Sequence, residues 1–426
     1  MADSIQIPGE TLSNEYRSRL DAVVGRGQST YTSTQIVVEQ VRGSRLWTMD
    51  GRELIDFTSG VLVSNLGYAH PRFEELYETY VAGLPRNGYN MVTSVLVEAS
   101  ERLVASMGMP KLAKCMWAAS GSEGIQKAMW MALHLHPERS ILVATRGGFH
   151  GKKGLAGDVS GEKSVNPNVR FISFPMGDDK PQSFYEAELD ALAAEFPGKI
   201  ALLITEPYLG ARGSYHPPKW YHKMLQAWCE KHDIPFIFDE VQSCFGRTGE
   251  MYAFETYGVQ PDLVVLGKGL ASGVPAAAVV GRADLVDSLN YGEGSDTFSA
   301  TPAACAAVCA TLQVFQEERI VDHCKAMAEK IRAGFEALQQ EFPFIRAIRG
   351  EGLVYGIEIT DAATANRCVV EAYLGVNGKG VHFLGPLAEK VLRVSPPLVI
   401  TEDEVEEAFR LLRAAWARVS AQVAVG

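Results

Sequence analysis

The chain has 426 residues, 47% hydrophobic and 21% charged, a balance that suits a globular protein with ample material for a core. Its net charge of −11 argues against nucleic acid and anionic membrane surfaces as main partners, but leaves small anions open to local binding. No signal peptide is expected, because no basic stretch followed by an apolar run opens the sequence, and no apolar run is long enough to span a bilayer. The cysteines number seven, an odd count without a CxxC pair, which predicts a reducing, cytoplasmic setting. The histidines show no ligand spacing of the HExxH kind, so no metal site is expected.

The N-terminal region carries strand signals at Thr34–Gln40 and Ser44–Thr48, then DGRELIDF, a turn followed by a strand. The middle of the chain alternates short β-rich runs with helical patterns. Strands are predicted at Lys114–Ala119, Ser140–Thr145, Val169–Phe174, Ala201–Glu206, Pro235–Asp239, Leu263–Gly267 and Ala276–Val280. Helices between them are predicted at Gly124–Leu135, Tyr185–Glu195 and Lys219–His232. Such alternation predicts an α/β fold with a mostly parallel sheet covered by helices, and ligands collect at the carboxyl ends of its strands. From about residue 306 the pattern becomes α+β. A long helical stretch (Ala306–Phe342) leads to short strands near Ile345–Ile359 and Val391–Ser395, and a last helix (Glu402–Val419) has Thr401 as its N-cap. The expected division is an N-terminal segment, 1–58, packing with a small C-terminal domain, 306–426, around a large domain, 59–305.

Two charged residues close buried runs. Lys268 follows PDLVVLG between two glycines, and Asp239 ends IPFIFD. A lysine amine able to form a Schiff base and a carboxylate able to hold a pyridine nitrogen protonated are what a pyridoxal phosphate site needs. In WAASGSEGIQKAMWMAL a strand meets a helix with the capping-box pattern Ser120…Glu123, and Gly121 permits close backbone approach, an arrangement that favours an anion. On its own this reads as an ordinary capped helix. GFHGKKG places Phe149 and His150 between glycines, a setting for a ring stacked on another ring or for a plain turn. Thr297 in SDTFSATP offers a hydroxyl just before a helix.

Taken together these segments resemble the class III aminotransferases, of the fold-type I pyridoxal phosphate superfamily. The matching pieces run from about Ser44 to Arg418 in family order: DGRELIDFTSG, NLGYAHP, SGSEG, FHG, TEPYLGARG, FDEVQSCFGRTG, LGKGLASG, DTFSATPAACAA, RGEGLVYGIEI and RVSPPLVIT. The FDEVQ…GRTG…PDLVVLGKG block is the specific one. The resemblance implies a large domain with a seven-stranded, mostly parallel sheet and a smaller α+β domain. It implies roles as well: Lys268 for the Schiff base and proton shuttle, Asp239 for the pyridine nitrogen, and Gln242 for the phenolic oxygen. Val241 and Phe149 would pack on the two ring faces, and Gly121 and Ser122 would donate to the phosphate. Glu206, with His150 of the FHG motif, would belong to the cofactor's polar surroundings. Thr297 would reach the cofactor of a neighbouring subunit, making a homodimer with shared sites, and Arg393 would bind the substrate carboxylate.

The chain departs from the family pattern at informative places. Ala211 stands where 4-aminobutyrate and ornithine enzymes carry a glutamate that masks the carboxylate-binding arginine. Lys152 stands where several 2-oxoglutarate users carry an arginine, and it lacks the bidentate fork. The expected activity is transfer of an amino group from an ω-amino acid or amine to a 2-oxo acid such as pyruvate or 2-oxoglutarate. An aminomutase, racemase or decarboxylase on the same fold is the alternative. A nicotinamide enzyme is disfavoured, since no GxGxxG opens a helix after an early strand.

Overall fold

The computed structural model describes residues 5–28, 32–177 and 180–423, so the ends of the expected terminal segments, 1–4 and 424–426, lie outside it. The chain forms two compact units, Pro71–Val321 and the combination of residues 1–70 with 322–426. In chain order the strands are β1 (Val38–Arg42), β2 (Arg45–Thr48), β3 (Glu53–Asp56), β4 (Lys114–Ala118), β5 (Ile141–Thr145), β6 (Val169–Ile172) and β7 (Ile200–Thr205). They continue as β8 (Phe236–Asp239), β9 (Leu263–Leu266), β10 (Ala277–Gly281), β11 (Ile345–Glu351), β12 (Val354–Ile359), β13 (Lys379–His382) and β14 (Val391–Val394).

The unit Pro71–Val321 is built on one sheet in the order β4-β10-β9-β8-β7-β5-β6, seven strands among the described residues. Only β10 runs against its neighbours, and β9, β8, β7, β5 and β6 are parallel. Every residue of β5, β7, β8 and β9 is buried, as expected for a sheet covered on both faces. The helix Gly121–Leu135 packs Ile125, Ala128, Met129 and Ala132 into the core that contains Ile204, Val265 and Val279. The seven predicted strands are all present, and the helix Lys219–His232 has the predicted bounds.

The other unit holds two small sheets, β1-β2-β3-β13 and β11-β12-β14. Strand β13 pairs in parallel with β3, joining residues far apart in sequence. An aromatic cluster fills the core, in which Phe335 meets Phe57 at 6.4 Å, Phe409 at 5.0 Å and Trp416 at 6.3 Å between ring centroids. After β3 the backbone makes a left-handed turn through Ser59, Gly60, Val61 and Leu62, all with positive φ. β-branched Val61 strains there. Asp56 anchors the turn by accepting from Thr58 N at 2.8 Å, Thr58 Oγ1 at 2.7 Å and Tyr68 Oη at 2.9 Å.

One expectation fails. The stretch Ala306–Phe342 is two helices, Pro302–Glu317 and Ile320–Glu341, broken at Glu318–Arg319, where Arg319 is left-handed. The first packs on the helices Pro71–Val81 and Ser94–Ser106, within the unit Pro71–Val321. Among the described residues no helix is long and apolar enough to cross a membrane. Phe335 is fully buried at the centre of its aromatic cluster, and Phe335→Ala is expected to cost about 3–5 kcal/mol. The check is a lowered midpoint in urea unfolding followed by circular dichroism.

Candidate active site

Five strands of this sheet lead to residues gathered in one place. Asp239 ends β8, Glu206 follows β7, and Lys268 stands two residues beyond β9. The loop after β5 carries Phe149 and His150, and β4 leads through Ser120 into the helix that begins at Gly121. These are the carboxyl ends of the strands, where an open α/β sheet binds ligands. A cavity of about 180 Å³ is lined there by Gly121, Ser122, Phe149, His150, Glu206, Asp239, Val241, Gln242 and Lys268. All nine come from the predicted set. Sequence reasoning missed Gly151 as a tenth contributor and assigned Ser120 only a capping role, although both line the cavity.

The polar groups are tightly bonded. His150 Nδ1 lies 2.7 Å from Asp239 Oδ2, with both side chains nearly inaccessible to solvent. Val241 N donates to Asp239 Oδ1 at 3.0 Å. Phe149 N donates to Glu206 Oε1 at 2.9 Å, and His150 N donates to Ser160 Oγ at 2.8 Å. Ser120 and Glu123 form the predicted capping box: Ser120 Oγ accepts from Glu123 N at 3.4 Å, and Glu123 Oε2 accepts from Ser120 N at 3.1 Å. Burial pushes the Glu206 carboxyl up to about 7, with Asp239 adding to the shift and His150, Phe149 N and Lys268 opposing it.

The lining suits a planar pyridine bearing a phosphate. Phe149 leaves its ring 38% exposed at the cavity although it is apolar. Two buried polar atoms, His150 Nε2 and Gln242 Oε1, have no hydrogen-bond partner among the described residues. The backbone also requires its glycines. A Cβ on Gly121 would stand 2.9 Å from Val241 Cγ1, and one on Gly210 would collide with Gln242 Oε1. Both side chains that line the cavity therefore depend on bare glycine backbone behind them.

The remaining predicted residues lie elsewhere. Lys152 lines an adjoining cavity of about 650 Å³ that shares Ser120, Ser122 and Phe149 with the first. Ala211 is half-buried and lines neither cavity. Thr297 is exposed, its carbonyl accepting from Asn87 Nδ2 at 2.9 Å. Arg393 belongs to the other unit, where it is buried on β14 opposite Gly356 of β12. Among the described residues no group of three or more histidine, cysteine, aspartate or glutamate side chains could hold a metal ion.

The sheet and the lysine–aspartate cavity at its strand ends define a fold-type I pyridoxal phosphate enzyme. The family model "Aminotransferase class-III" matches residues 27–416, and the chain belongs to that family. An acetylornithine aminotransferase of Streptomyces coelicolor is 33% identical over 90% of this chain and 91% of its own length. A 5-aminovalerate aminotransferase of Pseudomonas putida is 29% identical over 90% of this chain and 94% of its own. Among solved structures, the ornithine aminotransferase of Toxoplasma gondii superposes with a TM-score of 0.83 at 25% identity, covering 97% of this chain and 96% of that one. The enzyme is an aminotransferase and its cofactor is pyridoxal phosphate.

The raised Glu206 carboxyl gives a pH prediction. Between its ordinary value and about 7 the folded protein holds a proton there that the unfolded chain has released. This group's effect on stability therefore becomes less favourable as pH rises through that window, by on the order of 3 kcal/mol in total. In the cofactor-free protein, Glu206→Gln is expected to flatten that part of the stability profile, read from urea midpoints at a series of pH values.

Proposed function

We propose that the enzyme takes the amino group of an ω-amino acid or amine and delivers it to a 2-oxo acid such as pyruvate or 2-oxoglutarate. The observation that carries the assignment of residues is the placing of Lys268 in one cavity with the Asp239–His150 pair. Pyridoxal phosphate, when bound, supplies an aldehyde that takes up the amino group and a ring that accepts electron density from the substrate carbon. In this reading Lys268 Nζ holds the cofactor between turnovers and, once released, moves a proton from the substrate carbon. Asp239 balances a protonated pyridine nitrogen, and His150 orients Asp239. Gln242 meets the phenolic oxygen, and Val241 and Phe149 take the two ring faces. Gly121 and Ser122 donate to the phosphate at a helix N-terminus, and Glu206 secures the backbone of Phe149. Thr297 reaches the cofactor of a second copy, so the working form is a homodimer or higher homo-oligomer with shared sites.

Substrate choice follows from charge. Arg393 takes the carboxylate of the acceptor, and Ala211 places no acid at the position where 4-aminobutyrate and ornithine enzymes carry a glutamate. Lys152 assists a second carboxylate where the acceptor has one. Donors with a terminal amino group are favoured by the relatives, one named for 5-aminovalerate and another for acetylornithine. A cytoplasmic location is supported by the cysteines, all seven of which are free thiols.

Two outcomes test this assignment. After borohydride reduction the wild-type protein should carry the cofactor's added mass on Lys268, and Lys268→Ala should carry none and lose turnover while staying folded. Normal turnover by that variant would overturn the role of the lysine. Asp239→Asn should slow turnover at least about a hundredfold, as for other groups that stabilise developing charge. For the substrate side, Arg393→Ala should raise the acceptor KM about tenfold or more, the scale of one lost charge-assisted hydrogen bond, and affect a carboxylate-free amine donor far less. Equal losses for both substrate types would make Arg393 structural. A panel of donors and acceptors assayed on the wild type identifies the pair.

A further inference from the structure

Lys127 sits on the helix Gly121–Leu135, whose first turn lines the cofactor cavity, yet it takes no part in that cavity. It is a lysine only 4% exposed, in a position where an apolar residue would ordinarily fill the core. Its three N–H donors meet three acceptors: Trp117 O at 2.6 Å, Asp296 Oδ2 at 2.7 Å and Ser299 Oγ at 3.3 Å. Asp296 in turn accepts from Ser299 N at 2.7 Å and from Ser299 Oγ. Partial burial alone would raise the Asp296 carboxyl, but the bonds from Lys127 and Ser299 outweigh it and hold the group below its usual range.

The turn Asp296–Ser299 is thereby fastened to β4 from beneath. Above it the chain is open. Phe298 is 68% exposed and Thr297 is exposed between them. The other contacts of the turn are at the surface: Asn87 Nδ2 on the Thr297 carbonyl, and Tyr89 Oη 3.1 Å from Ser295 Oγ. Replacing a buried ion pair by an apolar side chain of similar size is often neutral or stabilising. What the pair adds here is a fixed position for the turn, because buried Lys127 holds an Asp296 side chain that is itself partly exposed.

We propose that Lys127 is a positioning residue that sets Thr297 for its contact with the cofactor phosphate of a second copy of the chain. This rests on the reading of Thr297 given above. Lys127 touches neither substrate nor cofactor. It acts by holding Asp296 and Ser299, so that the Thr297 hydroxyl is presented without first having to be ordered. The helix that carries Lys127 contributes its N-terminus to the phosphate end of its own subunit's cavity. One helix thus serves two cofactors, its own through Gly121 and its neighbour's through Lys127.

The test uses hybrid dimers made by co-expressing two differently tagged chains and purifying on both tags, with Lys268→Ala silencing one site. In the first hybrid a wild-type chain is paired with a Lys127→Met/Lys268→Ala chain, so the live site receives Thr297 from the chain lacking Lys127. In the second a Lys127→Met chain is paired with a Lys268→Ala chain, so the live site receives Thr297 from a chain with Lys127 intact. The reference is wild type paired with Lys268→Ala. The readout is the pyridoxal phosphate concentration that half-saturates the live site, measured by cofactor incorporation after borohydride reduction. The first hybrid is expected to need about tenfold more cofactor than the reference, the scale of one phosphate hydrogen bond, and the second to match it. Asp296→Asn, at a partly exposed position, should repeat the pattern and serves where Lys127→Met does not fold.

An equal loss in both hybrids, a loss only in the second, or no loss in either overturns the proposal. Thr297→Ala in the same two arrangements separates it from the reading beneath it. If Thr297→Ala weakens the partner's site and Lys127→Met does not, the shared site stands and the role of Lys127 falls. If Thr297→Ala leaves the partner's site unchanged, or no dimer forms, both fall together.

Discussion

The site depends on one contact, the 2.7 Å approach of His150 Nδ1 to Asp239 Oδ2. A carboxylate as deeply buried as Asp239 persists only where other groups replace the water it has lost. His150 and Val241 N supply two such groups, and the position of His150 is in turn secured from its own backbone. Ser160 Oγ accepts from His150 N and donates toward Gly151 O and Ala156 O, while Glu206 accepts from Phe149 N. The loop after β5 is therefore bonded on both sides of the two residues it presents. Loss of the imidazole would leave a buried carboxylate oxygen without its ring partner, while the loop that carries Phe149 would keep its backbone bonds to Glu206 and Ser160.

Lys268 shows a second constraint. It is a non-glycine residue at φ +41°, opening a short 3₁₀ turn immediately after an extended glycine. A left-handed backbone in such a residue costs on the order of 1–3 kcal/mol and persists only where its surroundings over-determine it. Those surroundings are fully buried: β9 before it, and Gly269, Leu270 and Ala271 after it. The strand ends abruptly instead of continuing, and the lysine is delivered into the cavity at the strand's carboxyl edge. Gly267 makes room as well, since a Cβ there would approach Val241 Cγ1 at 3.2 Å. Val241 is thus wedged between two glycines, Gly121 and Gly267, which fixes its side chain at the cavity wall.

Much of this was legible in the sequence because it is local. An apolar run that ends on Asp239 or Glu206, or just short of Lys268, announces both a buried strand and a charged group at its exit. The capping pattern Ser120…Glu123 announces a helix start, and the structure has both of its reciprocal bonds. What was not legible depends on chain distance. His150 and Asp239 are separated by 89 positions, and Lys127 and Asp296 by 169, so no spacing rule joins them. The pairing of β13 with β3 was hidden for the same reason, and because Lys379–His382 is too short and too glycine-flanked to read as a strand. The break at Glu318–Arg319 was hidden for another reason. Neither glycine nor proline marks it, and helical periodicity continues on both sides.

Burial of acids alone does not mark the site, as two neighbouring carboxyls show. Glu240 follows Asp239 directly, is fully buried, and is pushed up to about 8 by burial, a larger shift than that of Glu206. Yet Glu240 faces backbone. It accepts from Ala253 N and Phe254 N, each at 2.7 Å, and from Ser243 Oγ at 3.3 Å, capping the short helix Ala253–Tyr257. Glu206 shares the cavity with Lys268 and Asp239, and Glu240 does not. Successive residues along a strand point to opposite sides, so one exit from β8 sends Asp239 to the cavity and Glu240 to the scaffold. A perturbed acid becomes a functional candidate only when it shares open space with its charge partners. By that criterion Glu206, which lines one cavity with Asp239 and Lys268, is the candidate of the two raised acids, and Glu240 belongs to the scaffold.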